Sequence, residues 1–161
     1  MYQHLLVPID GSPLSQPAIA AAIALARSSG AQITFFYAQP SFYGRPEVAI
    51  YGEGLVLDPQ VSEQFNRANA EYAATILADA CSQAAQQGVR ASGDTEVNPV
   101  IHQAIVEAAT RQGCDLIFMA SHGRRGLAGF LLGSETQRVL THAQLPVLVF
   151  PCRSAAAESG R

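Results

Sequence analysis

Residues 116–140, LIFMASHGRRGLAGFLLGSETQRVL, combine three patterns that together indicate the fold. The apolar run at 115–120 is typical of a strand that is buried on both faces. It leads into a loop with four glycines and then, near Ser134, into the start of a helix. A strand followed by a loop and a helix is the repeating unit of a parallel α/β sheet.

Apolar runs of the same kind occur elsewhere in the chain. They are bounded by turn residues and cover residues 4–9, 31–38 and 146–150. A weaker pattern at 89–97 contains Gly93 and three charged residues, and it therefore suits an edge of the sheet. Helix patterns alternate with these runs, which implies right-handed crossovers and helices on both faces. We predict a doubly wound α/β fold with a five-stranded parallel sheet.

Three further helix patterns lie between the predicted strands. The first has Ile19, Ile23 and Ala26 on one face, Ser15 as its predicted N-cap and Gly30 after its end. The second follows Asp58-Pro59, ends before Gly88 and has the apolar face Val61, Phe65, Ala68, Tyr72, Ile76 and Ala80. The third follows Asn98-Pro99, ends before Gly113 and has the apolar face Ile101, Ile105 and Ala108.

The composition indicates one folded domain and excludes several classes of protein. Hydrophobic residues make up 48% of the 161 residues and charged residues 14%, which excludes a disordered chain. The net charge is −3 and the basic residues are scattered arginines, so neither nucleic acid nor a membrane surface is an expected partner. The three cysteines fit neither a disulfide framework nor a metal site. We predict a cytoplasmic protein with one domain over 1–152 and a frayed tail over 153–161.

Two loops follow the carboxyl ends of predicted strands, where open α/β sheets bind their ligands. The first is PIDGS at 8–12, which places the carboxylate of Asp10 at a strand end. The second is the glycine-rich loop, where backbone N–H groups and the positive end of the next helix can hold a phosphate near Ser134. A side chain at Gly123 or Gly133 would keep an anion away from that main chain.

Each candidate residue also has a structural interpretation, and the sequence leaves both open. Asp10 either faces a ligand or closes an Asx turn. Glu135 either lies beside bound phosphates or only complements the helix dipole. The Arg124-Arg125 pair either clamps phosphate or solvates the loop, and His122 is either a proton carrier or an ordinary polar loop residue.

The quoted stretch and two shorter segments resemble the universal stress protein family, from about Tyr2 to Pro151. The resemblance rests on LLVPIDGS at 5–12, MASHGRRGLAGFLLGSETQRVL at 119–140 and LPVLVF at 145–150, in the family's order and spacing. It implies a Rossmann-like sheet with the strand order 3-2-1-4-5, similar to that of the adenine nucleotide alpha hydrolases.

The resemblance also implies a site for ATP or a related adenine nucleotide, with Mg²⁺ as a possible companion. ATP-binding members have a glycine, two residues, a glycine, nine residues, and then glycine followed by serine or threonine. Gly123, Gly133 and Ser134 match the later part of that pattern, and Ala120 stands at its first glycine. The implied site consists of Pro8, Ile9, Asp10, Ala38, Met119, Ala120, His122, Gly123, Arg124, Gly133, Ser134 and Glu135.

Three functional hypotheses follow from these features. The first is a stress-response protein that binds an adenine nucleotide as a regulatory module. An alternative is a protein that binds no nucleotide and acts through a dimer and through residues 39–57, a long segment that is a lid, a partner contact or disordered. The third is an enzyme, but we find no catalytic or metal-ligand pattern and therefore expect at most a very slow ATPase.

A homodimer is predicted from the last strand. In the family's strand order this strand lies at an edge, and its apolar residues carry no charge that would prevent pairing with another chain. Pairing with the same strand of a second chain would cover the edge. The predicted interface residues are Val147, Leu148, Val149 and Phe150.

Overall fold

The computed structural model describes residues 1–43, 59–121 and 132–151. Within these ranges the strands are β1 (His4–Pro8), β2 (Gln32–Gln39), β3 (Ala91–Val97), β4 (Leu116–Ala120) and β5 (Val147–Phe150). The α-helices are α1 (Gln16–Ser29), α2 (Pro59–Gln86), α3 (Ile101–Arg111) and α4 (Ser134–His142). The strands form one parallel sheet in the order β3-β2-β1-β4-β5, so both the predicted fold class and the strand order are confirmed.

The core consists of two apolar layers, one on each face of the sheet. Leu5 and Val7 of β1 point to the face covered by α1 and α2, whereas Leu6 points to the face covered by α3 and α4. All three side chains are buried, because successive side chains of a strand alternate between the faces. Burial of each such side chain stabilises the folded state by about 1.5–3 kcal/mol. Strands that are buried on both faces therefore have continuous apolar sequences.

The start of α1 differs from the prediction. A 3₁₀ turn at Pro13–Ser15 leads into the helix, so Ser15 already has helical backbone angles and makes no side-chain cap. Its hydroxyl instead donates to the carbonyl of Ser12 at 2.7 Å. The predicted end is confirmed, because Gly30 has a φ of 72° and stops the helix in the left-handed conformation that favours glycine.

The apolar faces of α2 and α3 also differ from the predicted ones near their starts. Val61 and Ala68 are exposed, because the first turns of α2 lie beyond the sheet and contact residues 40–43 instead. Ile101 is 38% exposed at the start of α3. Phe42, in the predicted long segment 39–57, is buried and packs on Phe65 of α2 with ring centroids 5.4 Å apart. Residues 44–57 of the predicted long segment lie outside the described residues.

The two edges of the sheet have different chemistry. Strand β3 is an edge as predicted, and Arg111 of α3 donates to Asp94 at 2.8 Å and to Glu96 at 2.9 Å. Burial opposes ionisation of Asp94, but hydrogen bonds from Arg111 and Gln112 outweigh it and hold the pKa of this carboxyl below its ordinary value. Strand β5 at the other edge consists of four apolar residues, VLVF. Of the two edge strands, only β3 carries charged side chains that oppose pairing with another chain.

A row of polar side chains crosses β1, β2 and β3. Nε2 of His4 lies 2.8 Å from Oγ1 of the buried Thr34, which lies 3.3 Å from Oγ of Ser92. Burial lowers the pKa of His4, and the Asp115 carboxylate offsets this only in part. The folded protein therefore favours the neutral imidazole.

The neutral His4 makes the free energy of unfolding depend on pH. The unfolded chain binds a proton at His4 near pH 6.5 and the folded chain binds it only at lower pH, so stability is full above pH 6.5 and falls below it. We expect the urea midpoint to decrease between pH 7.5 and 5, and His4→Gln to reduce that decrease. The same change at the exposed His142 is the control, and an equal pH dependence in wild type and His4→Gln would contradict the prediction.

Candidate functional site

A cleft of about 550 Å³ opens at the carboxyl ends of β1 and β4. These strands are the point where neighbouring crossovers leave to opposite faces of the sheet, which is where open α/β sheets bind ligands. Nine of the twelve predicted site residues line it, namely Pro8, Ile9, Asp10, Ala38, Met119, Ala120, Gly133, Ser134 and Glu135. The other three, His122, Gly123 and Arg124, lie outside the described residues.

The loop after β1 is fixed by two hydrogen bonds around Asp10. Oδ1 of Asp10 accepts the backbone N–H of Ser12 at 2.9 Å, so the carboxylate does close an Asx turn. The hydroxyl of Tyr72, on α2, donates to the carbonyl of Asp10 at 3.0 Å. Between them Gly11 has a φ of 72°. The turn therefore holds Asp10 at the wall of the cleft, and its structural and ligand-facing interpretations are compatible.

The walls of the cleft come from β2 and α3. The end of β2 contributes Phe36, Tyr37 and the predicted Ala38, and Ile9 donates its N–H to the carbonyl of Phe36 at 2.8 Å. Sequence reasoning missed several lining residues. These are Ser15, Phe36, Tyr37, Pro40, Ile101, Ile105 and Thr136.

The missed residues differ in how visible they are in the sequence. The sequence could have indicated Ile101 and Ile105 as lining residues. They lie at the start of α3, which follows the carboxyl end of β3 and therefore lies at the edge of the cleft. The contact of Tyr72 with Asp10, which sequence reasoning also missed, has no signal in the sequence. Only the packing of α2 across the sheet brings Tyr72 to Asp10.

The start of α4 closes the other side of the cleft. Gly133 donates its N–H to the carbonyl of Ser121 at 2.8 Å, and the hydroxyl of Thr136 contacts the carbonyl of Ala120 at 3.2 Å. The Gly133 N–H, expected to face phosphate, is therefore already engaged with the protein. The next N–H groups, beginning at Ser134, belong to the first helical turn, where a helix has no internal acceptors. They are the donors available to an anion.

Glu135 lies in this first turn and also contacts α3. Its Oε1 accepts Nη1 of Arg138 at 2.9 Å, and its Oε2 lies 3.7 Å from Nδ1 of His102. The ring of His102 packs on that of His142, with centroids 4.9 Å apart. Glu135 thus complements the helix dipole and lines the cleft at the same time. Sequence reasoning found the carboxylate but not its histidine neighbour, which lies on a different helix.

A second cavity of about 680 Å³ lies at the opposite end of the sheet, before β4 and β5. It is lined by Val106, Glu107, Thr110, Arg111, Cys114, Ile117, His142, Gln144 and Leu145. Its described lining contains none of the predicted site residues, and its one strand residue, Ile117, lies near the amino end of β4. Burial raises the pKa of the Cys114 thiol to about 12, so this thiol is a poor nucleophile and metal ligand at neutral pH. The smaller cleft is the better candidate for a site.

The described residues contain neither a group of metal ligands nor a helix that could span a membrane. Among residues 1–43, 59–121 and 132–151, no three His, Cys, Asp or Glu side chains are grouped so that they could hold a metal ion. None of the described helices combines the length and apolarity that a membrane span requires.

Comparison with known proteins identifies the family. The sheet defines a doubly wound α/β protein with a cleft at the point where neighbouring crossovers leave to opposite faces. A sequence model of the Universal stress protein family matches residues 1–151. This chain belongs to the universal stress protein family.

Individual relatives agree with this assignment. The chain is 31% identical to the universal stress protein YxiE of Bacillus subtilis over 153 residues, which cover 92% of this chain and 99% of that protein. A universal stress protein family structure from Burkholderia pseudomallei has a TM-score of 0.71 and 27% identity, covering 93% of this chain and 96% of that one. A universal stress protein in complex with cAMP has a TM-score of 0.61 and 25% identity, covering 94% and 98%.

Proposed function

We propose that the protein binds ATP or a related adenine nucleotide in this cleft and acts as a regulatory module of the stress response. The observation that carries the proposal is that residues more than 100 positions apart, from Pro8 to Glu135, line a single cleft. This cleft lies between β1 and β4, where open α/β sheets bind their ligands. The complex of a family member with cAMP supports an adenine nucleotide as the ligand.

The chemistry of the cleft suits the two ends of a nucleotide. Apolar side chains of Ile101, Ile105 and Met119 offer a surface for a purine ring. Asp10 offers a carboxylate to the exocyclic amine of adenine. The N–H groups of the first turn of α4, from Ser134 onward, offer donors to phosphate.

We propose a binding protein rather than an efficient enzyme. Phosphoryl transfer needs a positioned water, metal ions and cationic groups that stabilise the transferred phosphoryl. The described cleft residues offer two carboxylates for these tasks, Asp10 and Glu135. We therefore expect at most a very slow ATPase. We also propose a cytoplasmic location, since the free Cys81 and Cys114 suit a reducing compartment.

The alternative function, a nucleotide-free protein that acts through its dimer, is favoured by one observation. Strand β5 is an apolar edge, whereas β3 is guarded by ion pairs. An unguarded edge favours pairing with another chain whether or not the cleft is occupied. The segment 39–57 stays the other proposed contact of this alternative.

Titration calorimetry tests nucleotide binding. We expect wild type at about 100 μM to bind an adenine nucleotide with micromolar affinity, a free energy of about −8 kcal/mol. Asp10→Asn keeps an oxygen acceptor for the Ser12 N–H but loses the charge, so we expect about tenfold weaker binding of adenosine, AMP and ATP alike. Asp79→Asn, an exposed aspartate of α2, is the matched control. Absence of heat with every ligand, for a protein folded by circular dichroism, would refute the proposed function.

A further inference from the structure

The electrostatic character of the cleft is the starting observation. Its described lining contains two carboxylates, Asp10 and Glu135, and none of the described lining residues is Arg, Lys or His. Among the described lining residues, the donors for phosphate are therefore backbone N–H groups at the start of α4, supported by the partial positive charge of that helix end. These described residues supply little positive charge with which to balance several phosphates.

Glu135 already lies in the positive electrostatic field at the start of α4. It is the second residue of α4, so its negative charge lies at the same helix end that would receive phosphate. Its position is held from two sides, by Arg138 at 2.9 Å on Oε1 and by His102 at 3.7 Å from Oε2. Oε2 is buried and has no hydrogen-bond partner among the described residues. The carboxylate is therefore held between α3 and α4, although the Glu135 side chain as a whole is 34% exposed.

We propose that Glu135 makes the cleft selective for adenine nucleotides with a single phosphate group over free ATP. This inference rests on the proposed function and narrows its ligand class. Two like charges about 6 Å apart repel each other enough to weaken binding roughly threefold in a water-like dielectric and roughly a hundredfold in a partly buried one. The penalty applies to every added phosphate charge, so it grows from a cyclic monophosphate to AMP and to ATP.

The test measures affinity as a function of ligand charge. Adenosine, cAMP, AMP and ATP carry about zero, one, two and four negative charges near pH 7.5 in the absence of divalent cations. Titration calorimetry with EDTA present should show binding that is weakest for ATP among the three nucleotides. Glu135→Gln should strengthen ATP binding at least tenfold, strengthen cAMP binding about threefold and leave adenosine unchanged. Added Mg²⁺ should reduce the difference between ATP and AMP in wild type.

Two further variants separate this local effect from net charge. Glu107→Gln removes a carboxylate from an exposed position of α3 that lines the other cavity, and it should change none of the ratios. Arg138→Gln removes the cation that pairs with Glu135, and it should weaken ATP more than cAMP. For Arg138→Gln we therefore expect the ratio of ATP affinity to cAMP affinity to change in the opposite direction from that of Glu135→Gln. This test does not require Glu135→Gln to fold.

The outcomes distinguish this inference from the proposed function. Equal gains for adenosine and ATP in Glu135→Gln, or an unchanged ratio of ATP to cAMP, would overturn charge selection while leaving nucleotide binding intact. Absence of binding for every ligand in wild type and variants would overturn both. A ratio that changes equally in Glu107→Gln would assign the effect to the net charge of the protein and overturn the role of Glu135.

Discussion

Gly11→Ala is expected to lower the free energy of unfolding by about 3 kcal/mol or more. Gly11 has a φ of 72°, a conformation that costs an L side chain about 1–2 kcal/mol. A Cβ at this position would also overlap Oη of Tyr72 and lie 2.8 Å from Cζ of the same ring and 3.0 Å from Ile76. Overpacking of this kind typically costs a further 1–3 kcal/mol, because the backbone or the ring must move.

Gly30→Ala provides the matched control for this prediction. Gly30 has the same φ of 72°, but an added Cβ would meet no atom within 4 Å. We therefore expect urea denaturation to show a loss of about 1–2 kcal/mol at Gly30 and a larger loss at Gly11. Tyr72→Phe removes the nearest atom, so the double variant Gly11→Ala/Tyr72→Phe should lose less than the sum of the single variants. Equal losses at the two glycines would contradict the proposed contact.

Leu148→Lys is expected to convert the dimer that we propose into a monomer. In a pairing of β5 with β5 from a second chain, the substitution would place two lysines near the symmetry axis and oppose association. Leu148 is 37% exposed in the single chain, so the folded monomer should tolerate the change. Light scattering at about 10 μM should give twice the chain mass of 17.0 kDa for wild type and 17.0 kDa for the variant.

Leu140→Lys separates an edge effect from a general effect of added charge. Leu140 lies on α4 rather than on the edge strand and is 42% exposed, so the same substitution there should leave the dimer intact. A wild-type mass of 17.0 kDa would refute the dimer and leave residues 39–57 or the C-terminal tail as the cover of this edge. Dissociation by both substitutions would also argue against β5 as the interface.

The sequence predicts the layers of this fold more reliably than the contacts between them. The apolar runs identify four of the five strands, because a strand in the interior of the sheet needs apolar residues on both faces, and the weaker pattern at 89–97 identifies β3 as an edge. The resemblance to a family supplies the strand order, which no local pattern contains. The helix faces are predicted less well at their starts, since Val61 and Ile101 continue the apolar period where no sheet lies beneath them.

In the candidate site, too, local features could be predicted from the sequence, whereas contacts between separate elements could not. Asp10 and Ser134 are predictable because they directly follow a strand or begin a helix, and both positions are local features. The contacts of Tyr72 with Asp10 and of His102 with Glu135 join residues more than 30 positions apart on separate elements. Their distances depend on how each helix is rotated and shifted on the sheet, which periodicity does not determine.

The unequal edges of the sheet also limit how large an assembly can become. If two chains join through β5, both outer edges of the continuous sheet are β3 strands, whose Asp94 and Glu96 are paired with Arg111. A third chain would have to separate those ion pairs and desolvate the charges before it could add a strand. In such an assembly growth would stop at two copies, and the same asymmetry that would permit a dimer would oppose fibre formation.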